Sequence, residues 1–332
     1  MVQRKYCTHE ATFQSMMTRF GGEYGRKVAW KDILQRARNV PGLTGLELNG
    51  GSPGLFINEK NYKEIGGDIG DAGLTAVGVH PDITSGQFYK GSFASPEKQI
   101  RELAVEKFKT WMDISKELKF PCGVGYFIGN DGFEYYLSSD YVKAWERLIE
   151  SFREVTRYRP EVNVFITFKI RNPRRRQFIS SFAKTLLLIK EIGAKNLGVD
   201  LDNSHAFMGR ENMAECLALM KTFGLSDRLF HVCIDDSSEL DCGLIAASIN
   251  TAETVEFLIW LNRLPMSWNG WISVEPAPYR EDPTEAITQD IKMIEGLYRA
   301  ISQVGIAEIN KVIERGDSMQ GVDLLRKILT GA

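Results

Sequence analysis

The sequence predicts an α/β protein, a (β/α)₈ barrel followed by a C-terminal helical extension. Three observations carry this. Eight strand-like segments alternate with helical ones at fairly regular spacing along 332 residues. The strand segments are apolar enough to be buried on both faces, as in parallel sheets joined by right-handed crossovers. Carboxylates and imidazoles recur where those segments end, and the C-terminal ends of the strands are where such barrels place their sites.

Taken in order, Lys5–Thr8 reads as a first strand ending in His9 and Glu10. Val28–Asn39 is an amphipathic helix with Val28, Ile33, Leu34 and Ala37 on one side. Leu43–Gly51 is a strand closed by glycines that carries Glu47, and Asn58–Ala72 is a polar helix. Leu74–Asp82 is apolar and ends in His80, Pro81 and Asp82. Ser95–Leu118 is a long helix, with Ser95 as cap and Pro96 at its first position. Phe120–Tyr136 is a glycine-rich strand running into a loop with Asp131, followed by the helix Asp140–Arg157.

Val162–Pro173 is strongly apolar, with Lys169 near its end. Gln177–Ile192 is a helix stopped by Gly193. Leu197–Phe207 carries Asp200 and Asp202 on one strand face, and His205 in the turn beyond. Asp202 reads equally as the N-cap of a following helix or as a cation ligand. Helix Glu211–Phe223, strand Arg228–Cys233 with His231, an acidic loop Asp235–Gly243 and helix Thr251–Leu264 follow. Strand Trp271–Asp282 carries Glu275, and Pro283–Ala300 is the last barrel helix.

No linker or low-complexity tract interrupts this series, so residues 1–304 form one barrel domain and residues 305–332 a helical tail. The tail is amphipathic through Ile306, Ile309, Val312, Ile313, Val322, Leu324, Leu325 and Ile328. It suits either a cover over the barrel's own helices or an oligomer contact. A doubly wound open sheet would want a phosphate loop after an early strand. Gly21–Gly25 and Gly123–Gly132 match neither GxGxxG nor GxxxxGK[ST].

Composition narrows the partners. A formal net charge of −2 offers no basic stripe for nucleic acid or anionic membrane. No window of about twenty apolar residues suggests a membrane span, and the N-terminus lacks a signal-peptide apolar run. The five cysteines, Cys7, Cys122, Cys216, Cys233 and Cys242, show no paired spacing, which implies free thiols in a reducing cytoplasm. The candidate site is the set of polar strand-end residues: Glu47, His80, Asp131, Lys169, Asp202 with His205, His231 and Glu275. Such groups converging on one mouth suit a divalent metal held mainly by oxygen. Tyr126, Phe127, Phe133 and Phe207 face sugar rings or simply pack.

The motifs from about Gly45 to Pro283 resemble the xylose-isomerase-like barrel superfamily, and within it the rhamnose isomerase-type sugar isomerases. The similar segments are Ile128–Tyr136, Phe168–Pro173, Asp202–His205, Leu229–Val232 with Glu239 and Asp241, Ser273–Pro276 and Arg280–Pro283. The resemblance implies a first metal held by Asp202, His231 and Glu275, and a second bridged by Asp202 with His205, Glu239 and Asp241. Mn²⁺ is the expected ion, with Mg²⁺, Co²⁺ or Zn²⁺ as alternatives. Where the family has a fifth-strand Glu, this chain has Thr167, which removes one negative charge from the cage.

The implied activity is a divalent-metal-dependent sugar isomerase or epimerase, moving hydrogen next to a carbonyl. Lys169, Glu275 and His205 would be catalytic, and Asp131, Glu47 and His80 would bind substrate. Lys169 either stabilises a developing alkoxide or forms a structural ion pair. An alternative is a lyase of the C-glycoside deglycosidase type, which cleaves a 3-keto-glycoside and works with a small β-rich subunit. A third is a non-catalytic relative. The barrel also resembles endonucleases acting on abasic DNA, against which the near-neutral charge argues. The implied partners are a carbohydrate substrate and either further copies of the chain or that small subunit.

Overall fold

The structure is a computed structural model, and it describes residues 4–14, 28–51, 56–127, 130–239, 241–263 and 268–331. Gly21–Gly25 and the start of the Ile128–Tyr136 segment lie outside the described residues.

Eight parallel strands close into a barrel. They are β1 (Lys5–His9), β2 (Leu43–Gly50), β3 (Thr75–Pro81), β4 (Gly123–Phe127), β5 (Val164–Thr167), β6 (Leu197–Asp202), β7 (Leu229–Cys233) and β8 (Trp271–Ser273). Each pairs with its sequence neighbours, and β1 closes the ring against β8 through Lys5↔Trp271 and Cys7↔Ser273. The outer ring is α1 (Trp30–Arg38), α2 (Tyr62–Asp71), α3 (Lys98–Leu118), α4 (Tyr141–Tyr158), α5 (Phe182–Ile192), a short α6 (Asn203–Gly209), α7 (Met213–Thr222), α8 (Thr251–Arg263) and α9 (Pro283–Val304).

Local chemistry sets most of the ends. Asp140, Ser181, Asp202, Asn212 and Asp282 each cap a helix by accepting a backbone N–H three residues on. Gly193 ends α5 in the left-handed conformation. Several ends differ from the sequence reading: α2 begins at Tyr62 rather than Asn58, and α5 at Phe182 rather than Gln177, with Ser181 as its cap. Helix α3 begins at Lys98 rather than Ser95, because Ser95 Oγ accepts the Glu97 N–H in a turn ahead of the helix. Strand β5 stops at Thr167 rather than running to Pro173. Beyond it the chain forms a loop in which Gln177 pairs with Gly132. Strand β8 stops at Ser273, ahead of Pro276 and Pro278, which lack the N–H that a ladder needs.

Close approach fixes Gly123 at the start of β4. Its φ is +93°, and a Cβ there would sit 2.2 Å from the Asn163 carbonyl oxygen. Gly123→Ala should therefore lower stability by roughly 2–4 kcal/mol, read as a fall in the thermal or urea midpoint.

The tail consists of α10 (Ile306–Arg315) and α11 (Ser318–Thr330). Ile309, Leu324 and Ile328 are buried in the same core as α8 and α9, so the tail packs on the barrel's outer layer. Among the described residues no helix is long and apolar enough to cross a membrane.

Candidate active site

Alternation along the strands turns Cys7 and His9, Glu47 and Asn49, Phe165 and Thr167, Asp200 and Asp202, and His231 and Cys233 into the barrel. They form two levels. The inner one is polar, where such barrels usually carry branched aliphatic side chains. His231 is fully buried there, with Nε2 2.8 Å from Glu47 Oε1 and Nδ1 2.8 Å from Asp200 Oδ1. Its ring stacks on Phe165 at 5.2 Å and 18°. Thr167 Oγ1 donates to Asp200 Oδ2 at 2.7 Å, and Cys7 Sγ to Glu47 Oε1 at 3.1 Å. Burial works against charge on His231, but Glu47 and Asp200 outweigh it and hold the imidazole protonated, well above its ordinary value. Burial likewise opposes the Glu47 charge, and His231 keeps that carboxyl well below the usual range. The arrangement is a buried carboxylate–imidazolium–carboxylate triad.

The outer level is the mouth. On one side, His80 Nε2 and His9 Nε2 lie 3.4 and 3.6 Å from Glu47 Oε2. Burial lowers His9, but Glu10, Glu275 and Glu47 more than reverse this and bring it up to about 9. On the other side stand Asp202 at the end of β6, Asp235 just past β7, and Glu275 just past β8. Asp202 Oδ1 accepts from the His205 N–H at 3.0 Å and from Ser204 Oγ at 2.8 Å, so it is the N-cap of α6 as well as a mouth carboxylate. The Asn203 side chain bonds the Asp235 backbone in both directions at 2.9 Å and locks the β7 loop onto β6. Glu275 Oε1 accepts from Ser273 Oγ at 3.0 Å and lies 3.3 Å from Cys233 Sγ.

Electrostatics marks this second group. Burial, then Asp200 and Glu275, push Asp202 up to about 7. Burial, Asp202, Cys242 and Glu275 push Asp235 well above its ordinary value. Asp235 Oδ1 is buried without a hydrogen-bond partner. Lys169 is buried beside them, its Nζ 3.1 Å from Cys242 Sγ. Burial opposes its charge, but Cys242, Asp202 and Asp235 hold the ammonium. Burial raises the Cys242 thiol, and Lys169 opposes this. His205 is buried and held neutral, first by burial and then by Lys169. Its Nδ1 lies 3.1 Å from Asp202 Oδ2, off the hydrogen-bond line and without another partner.

The structure separates residues that the sequence reading grouped. His231 lies a level below Asp202 and Glu275, with both ring nitrogens engaged by Glu47 and Asp200. Among the described residues, the donor groups whose ligand atoms already converge are Cys7–Glu47–His231, His9–Glu47–His80 and Asp200–His231–Cys233, and none joins Asp202 and Glu275, with either His231 or Asp235. Glu47 is buried among imidazoles rather than open to a ligand, and His80 leans on it. Asp131 is 1% exposed, and accepts from the backbone of Ser92, Phe93 and Ala94, from Ser92 Oγ and from Tyr126 OH, so it anchors a loop. Glu239 and Asp241 point outward on the β7–α8 hairpin, and Glu239 pairs with Arg210 at 3.5 Å. The residue beside Asp202 is Asp235, which the sequence reading left inside an acidic loop. Cys233, two residues beyond His231 on the same face, was the other omission. Tyr126 and Phe207 are packing residues, while Phe127 is 38% exposed near Lys169 and His205.

The mouth carboxylates suit a divalent cation. Asp202, Asp235 and Glu275 repel one another, and one Asp235 oxygen has no partner. A cluster of this kind, with Asp202 and Asp235 buried and Glu275 half-buried, would be stabilised by a bound cation.

The family model of the xylose isomerase-like TIM barrel matches residues 34–297, and the chain belongs to that family. Similar solved structures include sugar epimerases. A 3-keto-D-glucoside 4-epimerase from E. coli is 17% identical, with a TM-score of 0.63 over 88% of this chain and 99% of that one. A D-psicose 3-epimerase from Clostridium cellulolyticum H10 is 16% identical, with a TM-score of 0.65 over 88% and 98%. An L-ribulose 3-epimerase is 14% identical, with a TM-score of 0.65 over 96% and 98%. No curated protein matches by sequence.

Proposed function

We propose that the protein is a divalent-metal-dependent isomerase or epimerase of a ketose or keto-sugar. The observation that carries this is the cluster of Asp202, Asp235 and Glu275 facing the Lys169 ammonium at the strand ends. The fold it shares with sugar epimerases supports the reading.

Asp202, Asp235 and Glu275 would hold the ion, with His205 and Cys233 beside them. The donors are mostly carboxylate oxygens, which favours Mn²⁺ or Mg²⁺ over softer ions. A bound divalent ion would polarise the substrate's carbonyl and its neighbouring hydroxyl. Glu275, less buried than Asp202 and Asp235, would be the general base for the proton on the adjacent carbon. Lys169 faces the oxygen on which negative charge develops. His205, neutral and with a free Nδ1, orients a hydroxyl. Thr167 is tied to Asp200 and supplies no base. The free thiols of all five cysteines support a reducing compartment.

Incubation in D₂O with Mn²⁺ and D-psicose, D-tagatose, L-ribulose or a 3-keto-glucoside tests this. Deuterium should enter next to the carbonyl, and EDTA should stop it. Absence of exchange with all four, with and without metal, would refute the proposal, and aglycone release from the 3-keto-glycoside would point to a lyase.

Cation binding should also depend on pH. The Asp202 carboxyl is raised to about 7, so below that pH a proton competes with the ion. Without a cation, its raised value contributes stability that is complete below its unfolded value of about 4 and is lost as pH rises through 7. The Mn²⁺-induced rise in melting temperature should therefore be small at pH 5.5 and large at pH 8. Equal rises at both would remove Asp202 from the ligand set.

A further inference from the structure

A second cavity opens beside the mouth. It measures about 660 Å³, within the range of small-molecule sites. Its lining includes Ile170, Arg171, Arg175, Arg176 and Gln177 from the β5–α5 loop, with Lys184 at the start of α5. Met208, three residues past His205, and Glu239 of the β7 loop complete the wall, so the cavity adjoins the loops that carry Lys169 and His205.

The charge there is unlike that of the chain, whose formal net charge is −2. Residues 171–176 contain four arginines. Two are already used. Arg174 pairs with Glu134 at 2.6 Å, and Arg176 lies over the Tyr136 ring and donates to its hydroxyl at 3.2 Å. Together with the Gly132–Arg176 backbone contact, where a Cβ on Gly132 would meet the Arg176 carbonyl at 2.1 Å, they fix the loop. Arg171 and Arg175 have no ion-pair partner among the described residues, although both line the cavity. Of the two acids in the lining, Glu134 pairs with Arg174, and Glu239, largely exposed, lies 3.5 Å from Arg210.

A second, independent feature lies in the same wall. Gln177 is 2% exposed, and its Oε1 and Nε2 are both buried without a hydrogen-bond partner. A buried amide unsatisfied at both ends is costly, and an occupant with both acceptors and hydroxyl donors would satisfy it.

We propose that this cavity binds the oxyanion of an anionic carbohydrate, a sugar carboxylate or a sugar phosphate, through Arg171 and Arg175, with Gln177 meeting a hydroxyl. The sugar half of this rests on the function proposed above, while the oxyanion half stands on the cavity alone. Guanidinium groups suit either anion because they present paired N–H donors.

Calorimetric titration of the full chain with D-glucose, D-gluconate and D-glucose 6-phosphate tests it. At least one anionic sugar should bind roughly tenfold or more tightly than glucose, and comparison of the two identifies the anion. Arg171→Gln/Arg175→Glu should abolish that preference without changing the melting temperature, since neither side chain has a partner to lose. Gln177→Leu should weaken binding while leaving the melting temperature equal or higher, which a purely structural role would not do. Equal affinity for neutral and anionic sugars, no binding of either anion, or a preference that survives the double variant would overturn the proposal. Deuterium exchange plays no part in this measurement, so its failure would leave the oxyanion site standing, and the converse holds.

Discussion

Replacing Asp202 by Asn is expected to remove divalent-cation binding and leave the fold intact. The substitution keeps an oxygen where the His205 N–H and Ser204 hydroxyl donate, so the α6 cap survives. It removes the charge that, in the proposed site, would share a cation with Asp235 and Glu275. Losing one of three carboxylates should weaken binding by roughly two to three orders of magnitude, and kcat/KM by about 10³-fold. The melting temperature of the metal-free variant should equal or exceed that of the parent above pH 7, because a buried repulsive charge is gone. A variant that retains metal and activity would remove Asp202 from the site.

The largest effect on stability is expected at His231, for the opposite reason. His231→Ala would leave Glu47 and Asp200 as buried carboxylates without the cation between them. Breaking a buried ion pair costs about 3–5 kcal/mol, and the space left beside Phe165 adds to it. The thermal midpoint should fall by roughly 4–7 °C from the stranded charges alone. Combining His231→Ala with Glu47→Gln should restore part of the loss, since one stranded charge is removed with the imidazole. Losses that simply add would show that the triad is not one electrostatic unit. Metal content measured on the folded fraction should be unchanged, which separates this residue from the Asp202 group.

How far the sequence carries follows from this contrast. Periodicity and cap chemistry are local, so the strand–helix alternation and the closed barrel could be read from residues alone. The mouth acids Asp202 and Glu275, with Lys169 beside them, could be placed because each follows an apolar run by a residue or two. Depth inside the barrel could not be placed. It depends on the stagger between neighbouring strands, such as Asp200↔His231 and Asp202↔Cys233, and no single strand encodes that. His231 therefore looked like a mouth ligand although it lies one level down. The acidic loop after β7 posed a second problem. Its four acids are alike in composition, and only the hairpin's turn sends Glu239 and Asp241 outward while the Asn203 lock holds Asp235 in. Asp131 was misplaced for a similar reason, because its partners Ser92, Phe93 and Ala94 lie about forty residues away.

Thr167 gains a different meaning in this setting. As a missing carboxylate it weakens a cage, but as a donor to Asp200 it steadies the triad beneath the mouth. In the proposed site the ligand set shifts toward β7, where Asp235 would supply a third negative charge. That shift is the central claim, and it is tested most directly by anomalous diffraction at the manganese edge from crystals grown with Mn²⁺ at pH 8. The account predicts a peak bounded by the carboxylates of Asp202, Asp235 and Glu275. A peak among His9, Glu47 and His80, or around His231, or no peak at saturating Mn²⁺, would contradict it.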